Sequence, residues 1–198
     1  FTDYVRITGD ADGVEVVDNK IVAKCQGGAT GHWWFAPSCR ADPSTCIPVI
    51  TTNSWFLLEI MQRAASHNMP WAVAVGTPMK YAMAPHMVDM LFYWAFPDVT
   101  FLDLSPTCII FPPNDMAAWL VYDFRTEAPK VIIHKWAYNG LGAANSRALE
   151  TVENMHLADS QIQGMLSDLV STPGASPGSV ACKWLKANVK YWWSWVPL

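Results

Sequence analysis

Residues 71–76 read Trp-Ala-Val-Ala-Val-Gly, an apolar run shut between Pro70 and Pro78. Prolines at both ends stop a helix, and six residues are too few for one to bury a useful face. A run that is apolar at nearly every position, rather than at alternate ones, reads as a strand covered on both sides. Such a strand needs helices to cover it, and the rest of the chain offers them. The run is also far short of the about 18–20 uncharged apolar residues that would cross a membrane. The other apolar run, 92–96, is equally short, so no transmembrane segment is expected.

Around this strand the pattern alternates. Residues 5–8, 14–17 and 20–25 are β-branched or alternating and punctuated by Gly and Asp, which predicts short strands. Gly31 to Pro37 forms an aromatic strand or loop ended by proline. Asn53 or Ser54 is placed to cap a helix over 55–67, with Trp55, Leu58, Met61 and Ala65 on one face, and Asn68-Met69-Pro70 stops it. A short helix is expected over 85–93, and strands over 100–104, 108–111, 118–123 and 130–136. The last third reads as helical: Asn145 caps 146–156, Asp159 caps 160–170, and a Pro/Gly/Ser linker over 171–178 precedes a final helix from about Ser179. Strands followed by helices in this order predict one α/β domain over 1–198, with a mixed sheet and flanking helices.

Composition narrows the function classes. Apolar residues make up 52% of the 198 and charged residues 15%, with 11 Trp, which excludes a disordered chain. Thirteen Lys and Arg against 17 Asp and Glu leave a net charge of −4 with no basic cluster, so a nucleic-acid surface is not expected. The chain opens at Phe1 without an initiator Met or a signal-peptide pattern, and reads as a processed or trimmed piece. Five cysteines, at 25, 39, 46, 108 and 182, include no C-x-x-C pair. Cys39 and Cys46 flank a turn-rich stretch that a small disulfide loop would close, which favours an oxidising compartment. Cys108 and Cys182 read equally well as buried small hydrophobes.

Catalytic signatures are absent: there is no G-x-S-x-G elbow, phosphate-cradling loop, H-E-x-x-H or dinucleotide fingerprint. His86 and Asp89 at i, i+3 fit a helix contact better than a catalytic dyad. Asp98 and Asp103 straddle a turn without the setting of a glycosidase pair. Cys39, Cys46 and His32 lack a fourth zinc ligand at motif spacing. No enzyme, metal or cofactor is therefore expected. The aromatics carry more. Trp33-Trp34-Phe35 and Phe92-Tyr93-Trp94 lie in segments bounded by Gly and Pro, whereas Trp55, Trp184 and Trp192 sit at helical packing positions. Rings displayed from such segments suit a quaternary ammonium group, which is cationic and has no N–H to satisfy. Burial in a core is the competing reading for the same rings.

From Ile50 onward the chain resembles the C-terminal portion of substrate-binding proteins of glycine betaine/choline (quaternary amine) ABC importers. The resemblance is carried by "MQRAASHNMPWAVAV" with Thr77-Pro78, "LFYWAFPDVTFLDL", "ADSQIQGMLSDLV" and "ACKWLKANVKYWWSWVP". Gly31 to Pro37 is similar to that family's Gly-Trp-aromatic-x-Pro segment. The resemblance implies a periplasmic-binding-protein-like (type 2) α/β fold, two-lobed, with the first part of the family fold missing from this chain. It implies a non-enzymatic binding protein for a small zwitterion such as glycine betaine or choline, held in an aromatic cage. The site residues implied are Trp33, Trp34, Tyr93 and Trp94. Two registers stand open: in one, Gly76 occupies the place of a cage Trp, and in the other 93–97 supplies the ring. The implied location is exported (periplasmic or extracellular) or an organelle lumen.

A second expectation comes from the tail. Tyr191, Trp192, Trp193 and Trp195 form a dense aromatic patch, suited to contact with a membrane transporter or a larger protein assembly. On that reading the chain is a structural subunit that keeps the fold and has lost ligand binding.

Overall fold

In a computed structural model the chain is described at residues 1–28, 31–76, 89–93, 97–99, 102, 106–130 and 134–197. It forms two compact units, Phe1–Trp94 with Thr107–Lys130, and Ala95–Pro106 with Val131–Leu198.

The first unit is built on a five-stranded mixed sheet. Helix α1 (Thr2–Thr8) leads into a hairpin of β1 (Val14–Val17) and β2 (Lys20–Ala23). Asp18 and Asn19, both at positive φ, make its two-residue turn. Then come β3 (Cys25–Gly28), β4 (Gly31–Phe35), α2 (Pro37–Ala41), β5 (Ile47–Thr51), α3 (Leu57–Ser66), β6 (Trp71–Val75) and β7 (Leu91–Phe92). The strand order is β3-β4-β6-β5-β7, with β5 parallel to both β6 and β7 and β4 antiparallel to β6. The fold is thus mixed α/β, a mixed sheet with flanking helices. The proline-bounded run is β6, central and buried at Trp71, Ala72 and Val73.

Register decides the core. Trp34 lies opposite Val73, Val73 opposite Val49, and Val49 opposite Leu91, so one row of side chains crosses four strands on one face. Ile60, Met61 and Ala64 of α3 and Tyr4 of α1 belong to the same buried cluster. Helix α3 forms within the expected span, and Asn53 Oδ1 accepts from the Trp55 amide at 2.9 Å to cap the short 3-10 turn that leads into it. The predicted face is only partly right. Met61 is buried, but Trp55 is 86% exposed, because 54–56 form a separate short turn of 3-10 helix outside the regular one.

Several predicted strands are something else. Residues 5–8 belong to α1, where Asp3 and Arg6 pair at i, i+3 and Gly9 ends the helix at positive φ. Residues 108–111 have no strand partner, and 118–123 are the end of a one-turn helix α4 (Met116–Trp119) and the turn after it. The missed signal was Asp115, whose Oδ1 accepts from the Ala118 amide at 3.1 Å. The expected helix at 85–93 falls largely outside the described residues, and of its end Leu91–Phe92 is strand β7. Of the expected strand at 100–104 only Leu102 is described, and 134–136 are irregular.

The second unit carries α5 (Leu141–Ala144), α6 (Ser146–Asn154), α7 (Asp159–Ser171), α8 (Pro177–Ala187) and α9 (Val189–Trp192). Asn145 caps α6 as expected, its Oδ1 3.0 Å from the Ala148 amide. Asp159 is the first residue of α7 rather than its cap. The last helix starts two residues early, with Ser176 as cap in a reciprocal box with Ser179 and Pro177 in the first turn. It breaks at Asn188 into α8 and α9. Among the described residues of this unit, Val180 alone is buried. No described helix is long and apolar enough to cross a membrane.

Candidate functional site

The structure separates the aromatic residues singled out from the sequence. Trp34 is fully buried. Its ring meets Tyr4 edge-on at 5.8 Å, and its Nε1–H donates to the Gly13 carbonyl at 2.9 Å. A Cβ on residue 13 would stand 2.6 Å from the Asp10 carboxylate and 3.0 Å from the Tyr4 ring, so a larger residue there would have to push these side chains aside. Trp34 is therefore a core ring, with no face left for a ligand. Trp33, its neighbour on β4, points to the opposite side of the sheet by strand alternation and is half-buried. Tyr93 is half-buried on the α3 side: it stacks on Phe56 at 4.4 Å, and its hydroxyl donates to Glu59 at 3.4 Å. Trp33 and Tyr93 thus lie on opposite faces of the sheet, with β6 and β5 between their strands. Trp94 lies outside the described residues.

Cys39 and Cys46 form the disulfide, so neither thiolate is available to zinc. Cys25, Cys108 and Cys182 are free, and the last two are exposed rather than buried. His86 and Asp103 lie outside the described residues. Among the described residues no group of three or more His, Cys, Asp or Glu side chains comes together to hold a metal ion.

Sequence reasoning missed the polar face of α3. Glu59, Gln62 and Arg63, spaced as one helix face, are all buried. They hold a loop over 111–127 whose ends meet, the Glu127 amide donating to the Pro112 carbonyl at 2.8 Å. Gln62 is bound at both ends of its amide: Nε2 donates to the Tyr122 carbonyl at 2.9 Å, and Oε1 accepts from the Phe124 amide at 2.7 Å. Arg63 pairs with Glu59 at 2.5 Å, donates twice to the Thr126 carbonyl at 2.7 and 3.2 Å, and lies over the Phe111 ring at 4.6 Å. His67 Nε2 stands 2.8 Å from the Arg125 carbonyl, a contact that requires the proton on Nε2. Burial pushes the Glu59 carboxyl above the usual carboxylate range, against the pull of Arg63. Tyr93 is pushed up to about 12 by burial and by the Glu59 carboxylate beside it.

Between the end of α3 and this loop lies a cavity of about 270 Å³ lined by Ser66, His67, Pro112, Asp115, Asp123 and Arg125 among others. Its charged groups are already engaged. Arg125 donates to both oxygens of Asp123, at 2.9 and 2.7 Å, and holds that carboxyl below its ordinary range. Asp115 caps α4. No Trp, Tyr or Phe lines the cavity, so it is not an aromatic cage.

The second unit presents the tail aromatics. Trp184 and Trp195 stack at 6.2 Å, and Trp192 donates from Nε1 to the Leu185 carbonyl at 2.7 Å. Tyr191 and Trp193 are exposed, the latter at 58%. No protein-family model matches this chain, and no curated protein or solved structure matches it.

Proposed function

We propose that the chain is a non-enzymatic binding protein for a small quaternary-ammonium zwitterion, of the glycine betaine or choline type, with a type 2 periplasmic-binding-like fold. The observation that carries this reading is the course of the backbone. One unit is made of 1–94 and 107–130 and the other of 95–106 and 131–198, so the chain passes between them three times. The resemblance implies a two-lobed protein, and two compact units agree with it. The mixed sheet of the first unit agrees with the same reading. Of the cage residues implied by the resemblance, Trp33 and Trp94 are retained as candidates. Trp34 serves the core, and Tyr93 serves the Glu59 pair. Export or an organelle lumen suits the Cys39–Cys46 disulfide.

Calorimetric titration with glycine betaine and choline tests this. Binding is expected to weaken at least tenfold, about 1.4 kcal/mol, in Trp33→Ala or Trp94→Ala. Titrations without heat at millimolar ligand would overturn the proposal. The tail aromatics favour a second reading, an assembly subunit that contacts a transporter or larger complex through Tyr191, Trp192, Trp193 and Trp195. Light scattering on the isolated chain separates the two, since a stable monomer that binds ligand excludes the second.

A further inference from the structure

The last two helices and the 3-10 turn after them carry two rows of residues in sequence, interrupted by the break at Asn188. Leu185, Val189, Trp193 and Val196 recur every three or four residues, and all four are exposed. Lys183, Lys186 and Lys190 follow the same period. In α8, Lys186 stands one position beyond Leu185, and in α9 Lys190 stands one beyond Val189, about 100° round a helix. The inward positions are different again: Val180 is buried and Trp184 half-buried. After Asp168 the sequence has no Asp or Glu through residue 198. A chain of net charge −4 therefore concentrates cations, without acids, beside its most exposed tail aromatics.

We propose that α8, α9 and the turn that follows them form an interfacial anchor that lies on the surface of an anionic lipid bilayer. A protein partner would fit the aromatics, but protein interfaces are depleted in lysine. A bilayer surface takes both rows together. Trp and Tyr settle at headgroup depth, the aliphatic side chains enter the acyl boundary, and lysines at the flank meet anionic headgroups. Lys183 is held by Asp168 at 2.8 Å, and Lys190 lies 5.5 Å from the Tyr191 ring centroid. Lys186 and Lys190 therefore carry most of the attraction. The remainder of the chain is acidic and is repelled by the same surface, so the contact orients the molecule with this segment toward the lipid.

Flotation of the full chain with extruded vesicles tests the proposal. The chain is expected to float with phosphatidylcholine vesicles containing phosphatidylserine, and to be released as salt shortens the screening length from about 10 Å at 0.1 M to about 3 Å at 1 M. Lys186→Gln with Lys190→Gln should weaken this binding roughly 25-fold, at about fivefold per lysine, and leave weak binding to neutral vesicles unchanged. Leu185→Ser with Trp193→Ser should abolish binding to both. Far-ultraviolet dichroism checks that these surface variants stay folded, and the lysine pair gives an independent reading if the apolar pair does not. Absence of flotation, or flotation indifferent to the lysine pair, overturns the proposal. So does a dimer that Trp193→Ser dissociates while vesicles have no effect, which would assign the surface to a second copy of the chain.

Discussion

Replacing Arg63 by Met removes one charge of a buried pair and keeps most of the side-chain volume. Glu59 and Arg63 are both buried and 2.5 Å apart, and the guanidinium also supplies two hydrogen bonds to the Thr126 carbonyl. Breaking such a pair on one side leaves a buried charge without its partner and costs about 3–5 kcal/mol. The pH dependence identifies the cause. Burial already raises the Glu59 carboxyl, and Arg63 opposes that rise. The folded chain therefore holds this proton more tightly than the unfolded chain. Its contribution is fully present below the unfolded value, about 4.3, and is lost as pH climbs through the raised one. Without Arg63 the folded value rises further, so the loss extends to higher pH and becomes deeper. Urea unfolding of both proteins, followed by tryptophan fluorescence from about pH 4 to 8, should show the destabilisation growing with pH toward the full figure. Adding Glu59→Gln should recover part of it, because the two sites act through one contact. A cost below about 1 kcal/mol, or one flat with pH, would refute the argument that the pair holds the loop as a buried charge pair.

Two further variants test neighbouring features. Gln62→Leu strands the Tyr122 carbonyl and the Phe124 amide, and should cost about 2–4 kcal/mol, seen as a lower urea midpoint with an unchanged slope. It should also speed proteolysis within 111–127. Replacing Cys39 and Cys46 by Ser opens a short loop of sequence separation 7 and should cost about 2.5 kcal/mol, matching the effect of a reducing agent on the unaltered chain.

The α/β character was legible because its signals are local and redundant. The proline-bounded strand, the Asn53 and Asn145 caps and the short Cys39–Cys46 loop each rest on residues that act on near neighbours. Helix α1 was not legible: Val5 and Ile7 look like a strand until Tyr4 finds the core beneath Trp34. The choice between Trp33 and Trp34 was hidden for a sharper reason. Adjacent residues on a strand face opposite ways, and only the register with Val73 decides which one enters the core. The polar face of α3 was missed because Glu59, Gln62 and Arg63 look like a solvated face. They become interior groups only when a loop some sixty residues further on closes over them.

That separation also sets an order of assembly. Arg63 and the Thr126 carbonyl are 63 residues apart, and at 5–20 residues per second the ribosome needs roughly 3–13 s to make that stretch. Through that interval Gln62 and Arg63 lack the backbone groups of 122–126 that they bind, while 95–106, which belongs to the other unit, has already emerged. The first unit is thus completed out of sequence order. A fragment ending at Trp94 would carry the sheet and α3 but none of the backbone that Gln62 and Arg63 bind, so a cut there does not yield an independent folding half.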